Sequence, residues 1–152
     1  IEDNTPILGV VYAPVLKKYW YGSKDGSYIY ENGESFKINV NVDFNEPCQI
    51  VASRSHPSPL LKNILNSFSN YQLVRMGSSI KICLVAEGVA DIYPRLAPTM
   101  EWDTAAAHAV LKYANGTLID LDTNAEMQYN RKNLKNSFFI ANSNMDLTSF
   151  LK

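Results

Sequence analysis

Apolar and polar positions change their rhythm along this chain. Residues 7–12 form a short apolar run rich in β-branched side chains, which predicts a buried strand. Residues 18–23 and 27–30 read as aromatic-rich strands around Lys24-Asp25-Gly26, and an Asp-Gly between two such runs predicts a hairpin. Residues 36–42 add another extended segment, so the first 45 or so residues read as antiparallel. Strands and helices then alternate. We expect a strand over 49–52, a helix over 57–68 with Pro57 or Pro59 in its first turn, a strand over 71–75, a helix over 79–87 and a strand over 90–93. The strongest helical pattern covers 101–113. Its apolar stripe, Trp102, Ala105, Ala106, Ala109, Val110 and Tyr113, recurs every three to four residues, and Asn115-Gly116 suits a left-handed cap. Residues 117–119 and 138–141 predict strands, and 147–151 a last helical turn. This alternation predicts an α/β sandwich.

Length and composition narrow the classes. A chain of 152 residues fits one domain and buries a real core. A net charge of -1 excludes a protein that coats nucleic acid polymers, which needs a basic excess, yet leaves room for local cations that bind a small anion. Two cysteines, Cys48 and Cys83, are too few for a disulfide framework or a zinc site, and Cys83 lies in an apolar run as a small core residue. There is no basic-then-apolar leader and no apolar run long enough for a bilayer, so the expectation is a cytoplasmic protein with no membrane partner. Asn115-Gly116-Thr117 matches a glycosylation acceptor but reads better as a turn. The opening Ile1-Glu2-Asp3-Asn4-Thr5-Pro6 reads either as the start of a piece of a larger protein or as a trimmed terminus.

Three stretches carry candidate chemistry. In Arg75-Met76-Gly77-Ser78-Ser79-Ile80-Lys81 a strand ends, a glycine turns the backbone and a helix begins at the serines. Exposed N–H groups there, with the Ser78 hydroxyl and the Lys81 charge, suit a phosphate oxygen; the plain alternative is a serine N-cap with a solvated lysine. In Ser53-Arg54-Ser55-His56-Pro57, His56 suits a base or a phosphate, the alternative being a loop histidine without a task. In residues 93–103, Arg95 precedes the helix in a loop, Thr99 suits its cap, and Glu101 and Asp103 fall in its first turn. Acids there complement the helix dipole, which is the structural alternative; the functional one is that Asp103 ligates magnesium. One aspartate does not build such a site, because metal phosphatases clamp attacking and leaving oxygens with several carboxylates. Asp25 in Lys24-Asp25-Gly26-Ser27 imitates part of a phosphatase motif but sits at a hairpin tip, and His108 reads as structural.

Two blocks then carry a resemblance. Gly77-Ser78-Ser79, Lys81, Cys83-Leu84-Val85-Ala86-Glu87-Gly88, Ala90-Asp91 and Tyr93-Pro94-Arg95, followed by Pro98-Thr99, Trp102-Asp103-Thr104-Ala105-Ala106 and His108-Ala109-Val110, resemble the 3'(2'),5'-bisphosphate nucleotidases of the CysQ type. These are inositol-monophosphatase-like, lithium-sensitive magnesium phosphatases. Leu8-Gly9-Val10-Val11-Tyr12-Ala13-Pro14 and Ser53-Arg54-Ser55-His56 fit the same family. The resemblance implies that Asp103 is a metal-ligating aspartate, that Ser78, Lys81 and Arg95 bind the ribose and phosphates, and that His56 lies near the nucleotide. It implies hydrolysis of the 3'-phosphate of 3'-phosphoadenosine 5'-phosphate, often also of its phosphosulfate relative, which clears a by-product of sulfate assimilation. The sibling inositol monophosphatases carry Tyr-Glu where this chain has Pro94-Arg95, and an arginine suits a second phosphate better than a carboxylate does.

The family's Gly-Glu-Glu and Asp-Pro-x-Asp-Gly-Thr motifs, which complete its metal site, do not occur here. The resemblance therefore implies the C-terminal α/β lobe of that fold over 46–152, with 1–45 as strands of the N-terminal lobe's sheet. Those strands expose an edge, so the missing N-terminal portion or a second copy is an expected partner. The isolated chain is expected to be inactive. Two alternatives stay open: a phosphatase of the same fold acting on an inositol phosphate or sugar bisphosphate, and a non-catalytic nucleotide-binding module using Ser78, Lys81 and Arg95 without metal.

Overall fold

Two sheets enclose a pair of helices in the computed structural model, which describes residues 1–42, 46–52 and 59–144. The first sheet is antiparallel, in the order β1 (Leu8–Ala13), β2 (Lys18–Ser23), β3 (Gly26–Glu31), β4 (Glu34–Ile38). The β2–β3 hairpin forms at Lys24-Asp25 as expected. Gly26 takes φ +114, and the Ser23 hydroxyl accepts the Asp25 N–H, so Asp25 is a turn residue.

The second sheet is mixed, in the order β6 (Tyr71–Arg75), β5 (Cys48–Ala52), β7 (Ile92–Arg95), β10 (Phe139–Asn142), β8 (Thr117–Asp120), β9 (Ala125–Glu126). β5 runs parallel to β6 and β7, and the remaining pairs are antiparallel. Alternation along the central strands sends side chains to opposite faces. Val51, Tyr93, Phe139 and Ala141 join the main core with α2 (Ile80–Ala86) and α3 (Glu101–Tyr113). Ile50, Ile92 and Ile140 face the other way and pack with Ile64, Leu65 and Phe68, at and just after α1 (Pro59–Asn66). The layers are sheet, helix pair, sheet, helix, an α/β sandwich as expected.

The helix pair lies against the first sheet closely enough to need glycine. A Cβ on Gly9 would stand 2.1 Å from the Ala106 carbonyl oxygen, and one on Gly22 would stand 2.7 Å from the Val110 Cα. Ser27 next to this contact donates a 2.6 Å hydrogen bond to the Val110 carbonyl. Glu87 ties α2 to the same sheet, accepting from the Trp20 indole and pairing with Lys18 at 3.1 Å.

Three expectations need correction. The buried face of α3 is not the stripe beginning at Trp102, which is 67% exposed; it comprises Glu101, Thr104 and the run Ala107 to Leu111. A helix held between two sheets is covered on two sides, so a single stripe does not describe it. The strand expected over 90–93 lies over Ile92–Arg95, so Arg95 ends a strand rather than sitting in a loop. The strand expected over 36–42 ends at Ile38, and β9 and a 3-10 turn at Pro14–Leu16 were not foreseen. The helical turn expected over 147–151 lies outside the described residues.

The outer face of the first sheet is apolar and open. Leu8, Val10 and Tyr12 are exposed. Beside them Tyr19 stacks on Tyr30 with ring centroids 4.7 Å apart, and Tyr21 on Tyr28 at 5.2 Å. Among the described residues no helix is long and apolar enough to cross a membrane.

Candidate active site

A cavity of about 390 Å³ opens where the loop before α2, the end of β7 and the start of α3 meet. It brings together Ser78, Lys81, Arg95 and Asp103, with Tyr93 and Thr104 also in its wall. Four of the five site residues expected from the sequence therefore share one cavity. The fifth, His56, lies outside the described residues.

The turn into α2 forms differently from the expectation. The left-handed residue is Ser78, at φ +56, and not Gly77. Ser79 precedes the helix but makes no side-chain capping bond, so the serine N-cap alternative fails. The solvated-lysine alternative fails too. Lys81 is only 6% exposed, and its ammonium lies 5.1 Å from the centre of the Tyr93 ring. Burial, with Arg95 adding like-charge repulsion, holds the Lys81 pKa below the ordinary lysine value.

Tyr93 organises both cations. Its ring faces Lys81, and its phenol lies within the electrostatic reach of Arg95. Burial pushes its phenol up to about 12 against the pull of Arg95, so it remains neutral. Arg95 donates from one terminal nitrogen to the Pro98 carbonyl at 3.4 Å, while its buried Nε has no partner. Neither Lys81 nor Arg95 belongs to an ion pair among the described residues. Two cations partly removed from water, one with an orphaned donor, make a cavity that favours an oxyanion.

Asp103 has a structural task as well. Its Oδ2 accepts the Met100 N–H at 2.8 Å, half of a capping box. Met100, rather than Thr99, is the N-cap residue. Thr99 instead accepts a hydrogen bond from the Asn136 amide, which also reaches the Met100 carbonyl and the Thr104 hydroxyl. Glu101 is buried and its carboxylate is taken by the N–H groups of Asn130 and Arg131, which removes it as a metal ligand.

The described residues contain no group of three or more histidine, cysteine, aspartate or glutamate side chains able to hold a metal. Asp103 fits one ligand position of a magnesium ion, which takes six oxygen ligands and keeps several waters. The described residues do not make a complete centre. His108, read as structural, is fully buried and bonded on both ring nitrogens. Tyr93 and Thr104 were not foreseen as site residues. The one signal for Tyr93 was its place two residues before Arg95, which in a strand puts both side chains on one face.

Comparison with known proteins gives the family and the fold. The family model described as the inositol monophosphatase family matches residues 1–150. The chain is 44% identical over 120 residues to the 3'(2'),5'-bisphosphate nucleotidase CysQ of Salmonella typhimurium, covering 79% of this chain and 48% of the relative. It is 45% identical over 116 residues to the CysQ of Buchnera aphidicola, covering 76% and 43%. The crystal structure of CysQ from Bacteroides thetaiotaomicron superposes with a TM-score of 0.87 at 34% identity, over 96% of this chain and 61% of that one. Staphylococcal IMPase-II shares the fold, with a TM-score of 0.76 at 19% identity. The chain spans about half the length of the curated relatives it matches. Its fold, its central motifs and the family match agree, and the chain belongs to the inositol monophosphatase family.

Proposed function

We propose that this chain supplies the phosphate-gripping part of a phosphatase that removes the 3'-phosphate of 3'-phosphoadenosine 5'-phosphate, and also acts on its phosphosulfate relative. The observation that carries this reading is the pair Lys81 and Arg95, both without a carboxylate partner among the described residues, in one cavity with Asp103. A single phosphate monoester needs one such grip. A second cation with a planar fork and an orphaned donor suits a second phosphate. The CysQ names of the relatives support a nucleotide bisphosphate over an inositol phosphate.

In this reading Lys81 and Arg95 bind and orient the substrate phosphates, and Tyr93 holds both cations in place. Ser78 offers its hydroxyl to the ribose or a phosphate. Asp103 supplies one carboxylate to a magnesium site whose other ligands come from outside the described residues. In the same reading residues 1–45 belong to the sheet of the N-terminal lobe and 46–152 to the C-terminal α/β lobe. The work is the cytoplasmic clearance of a nucleotide by-product of sulfate assimilation, and the partner is the remaining portion of the family fold or a second copy.

The test is phosphate release from 3'-phosphoadenosine 5'-phosphate, with and without magnesium, by this chain and by a longer form that includes the rest of the family's length. Release by the longer form that depends on magnesium and disappears in Asp103→Asn supports the reading. Binding that magnesium does not strengthen, with no release from either form, supports the non-catalytic nucleotide-binding module instead. Preferred release from inositol monophosphate moves the substrate to the sibling class.

A further inference from the structure

Among the described residues of the cavity wall, Trp102 is the one large apolar side chain that stays in water. Three aromatic rings line the cavity. Tyr93 and Phe139 are buried, at 5% and 1% exposed, whereas Trp102 is 67% exposed.

The first turn of α3 sets this exposure. Glu101 and Thr104 turn inward, where Glu101 accepts from the Asn130 and Arg131 N–H groups and Thr104 from the Asn136 amide. Trp102 and Asp103 are left on the outer side. One turn further on, Ala106 shares the face of Trp102 and is covered by Gly9 of the first sheet, and that cover ends before Trp102.

The chain's two tryptophans have different tasks. Trp20 is buried, donates its indole N–H to Glu87 and has the Lys18 ammonium 5.1 Å from its ring centre. The Trp102 indole has no hydrogen bond, and its ring no aromatic or cationic neighbour, among the described residues. A ring left in water adds little to the core. It offers a flat π-face instead, and such a face stacks on any flat heterocycle.

The rest of the wall recognises charge and hydroxyl groups. Lys81 and Arg95 suit phosphates, and Ser78 and Thr99 carry hydroxyls. Those groups serve a phosphorylated sugar or inositol as well as a nucleotide. A saturated polyol gives an indole less stacking contact than a flat heterocycle does. We propose that Trp102 is a specificity-determining residue whose ring stacks on the base of the nucleotide, so that this cavity recognises an aromatic heterocycle together with its phosphates. The proposal rests on the reading of Lys81 and Arg95 above and adds to it the part of the ligand that those cations do not see.

The test is calorimetric titration with two ligands, adenosine 3',5'-bisphosphate and its abasic counterpart, in which hydrogen replaces the adenine. It is run on the unaltered protein, on Trp102→Leu and on Trp102→Phe, in this chain and in the longer form. Because Trp102 is exposed, equal melting temperatures are expected for all three. The unaltered protein should bind the adenosine ligand about 5- to 100-fold more tightly than the abasic one. Trp102→Leu should lose that advantage and Trp102→Phe keep most of it, with abasic affinity constant throughout. Equal affinity for the two ligands, or a loss in Trp102→Leu shared by the abasic one, overturns the stacking and leaves the phosphate grip standing. A phenylalanine no better than leucine overturns it too. So does a loss seen in this chain and absent from the longer form, because polypeptide then covers the ring. If neither ligand binds to either form, the grip and the stacking fall together.

Discussion

Lys81 shows how a single residue can work against the fold it belongs to. A lysine ammonium partly withdrawn from water without a carboxylate is a cost to folding, offset in part by the Tyr93 ring. Lys81→Met should therefore leave thermal stability unchanged or raised while phosphate affinity falls, and a melting curve with a calorimetric titration checks both signs. The pH dependence follows from the same burial. Because the folded pKa of Lys81 is lowered, the cation is lost at lower pH than for an ordinary lysine, so anion affinity should weaken as pH rises into that range. Affinity that holds until the ordinary lysine range contradicts this. The sequence offered Lys81 as a phosphate-binding candidate, but not its burial, because a lysine one turn into a helix reads equally well as solvated. Asp103 was legible because the first turn of a strong helix is a local pattern. Its bond to Met100 gives that carboxylate a structural task beside the metal-binding one proposed for it.

Among the elements, α3 is the one on which the rest depends. Its period was readable, but its buried face was not, since periodicity reports one apolar side and α3 has a sheet on each side. The glycines that permit this contact lie far away in sequence. Gly9→Ala places a methyl against the Ala106 backbone, which cannot yield as a side chain would, and should cost about 1–3 kcal/mol. Denaturant titration measures it, and a loss within error means that the two layers separate easily. β7 was misplaced for a different reason. Pro94 argues against a central strand, yet β5 pairs with β7 only at Ile50–Ile92, so Pro94 lies beyond that pairing. That parting of the strands comes just before Arg95 at the cavity. β9 and β8 are held to the segment after them by Asp120. Burial by itself raises the Asp120 pKa, but bonds from Arg131, the Asp122 N–H and Ser137 outweigh it and hold the carboxyl below its ordinary value. A depressed folded pKa contributes stability above the unfolded value and loses it as pH falls through the folded one. Asp120→Asn should thus lower stability at neutral pH and flatten its decline in acid.

For the whole molecule, the hairpin and the strand-helix alternation announced two regions, and the structure arranges them as two sheets around a helix pair. What sequence reading could not supply is which faces stay open. The outer face of the first sheet carries Leu8, Val10, Tyr12 and a ladder of stacked tyrosines. An exposed apolar face of that kind favours association. Replacing Leu8 and Val10 by lysine should raise solubility and reduce self-association in sedimentation without altering the melting transition.

The central claim is that Lys81 and Arg95 together grip a bisphosphate. The most direct measurement is calorimetric titration of this chain with adenosine 3',5'-bisphosphate and with adenosine 5'-monophosphate, repeated in Arg95→Met. We expect the bisphosphate to bind more tightly, and the variant to lose that advantage by about 10- to 100-fold, the worth of a charge-assisted bond of roughly 1.5–3 kcal/mol. Equal affinity for the two nucleotides, or an advantage untouched by the substitution, would contradict the account.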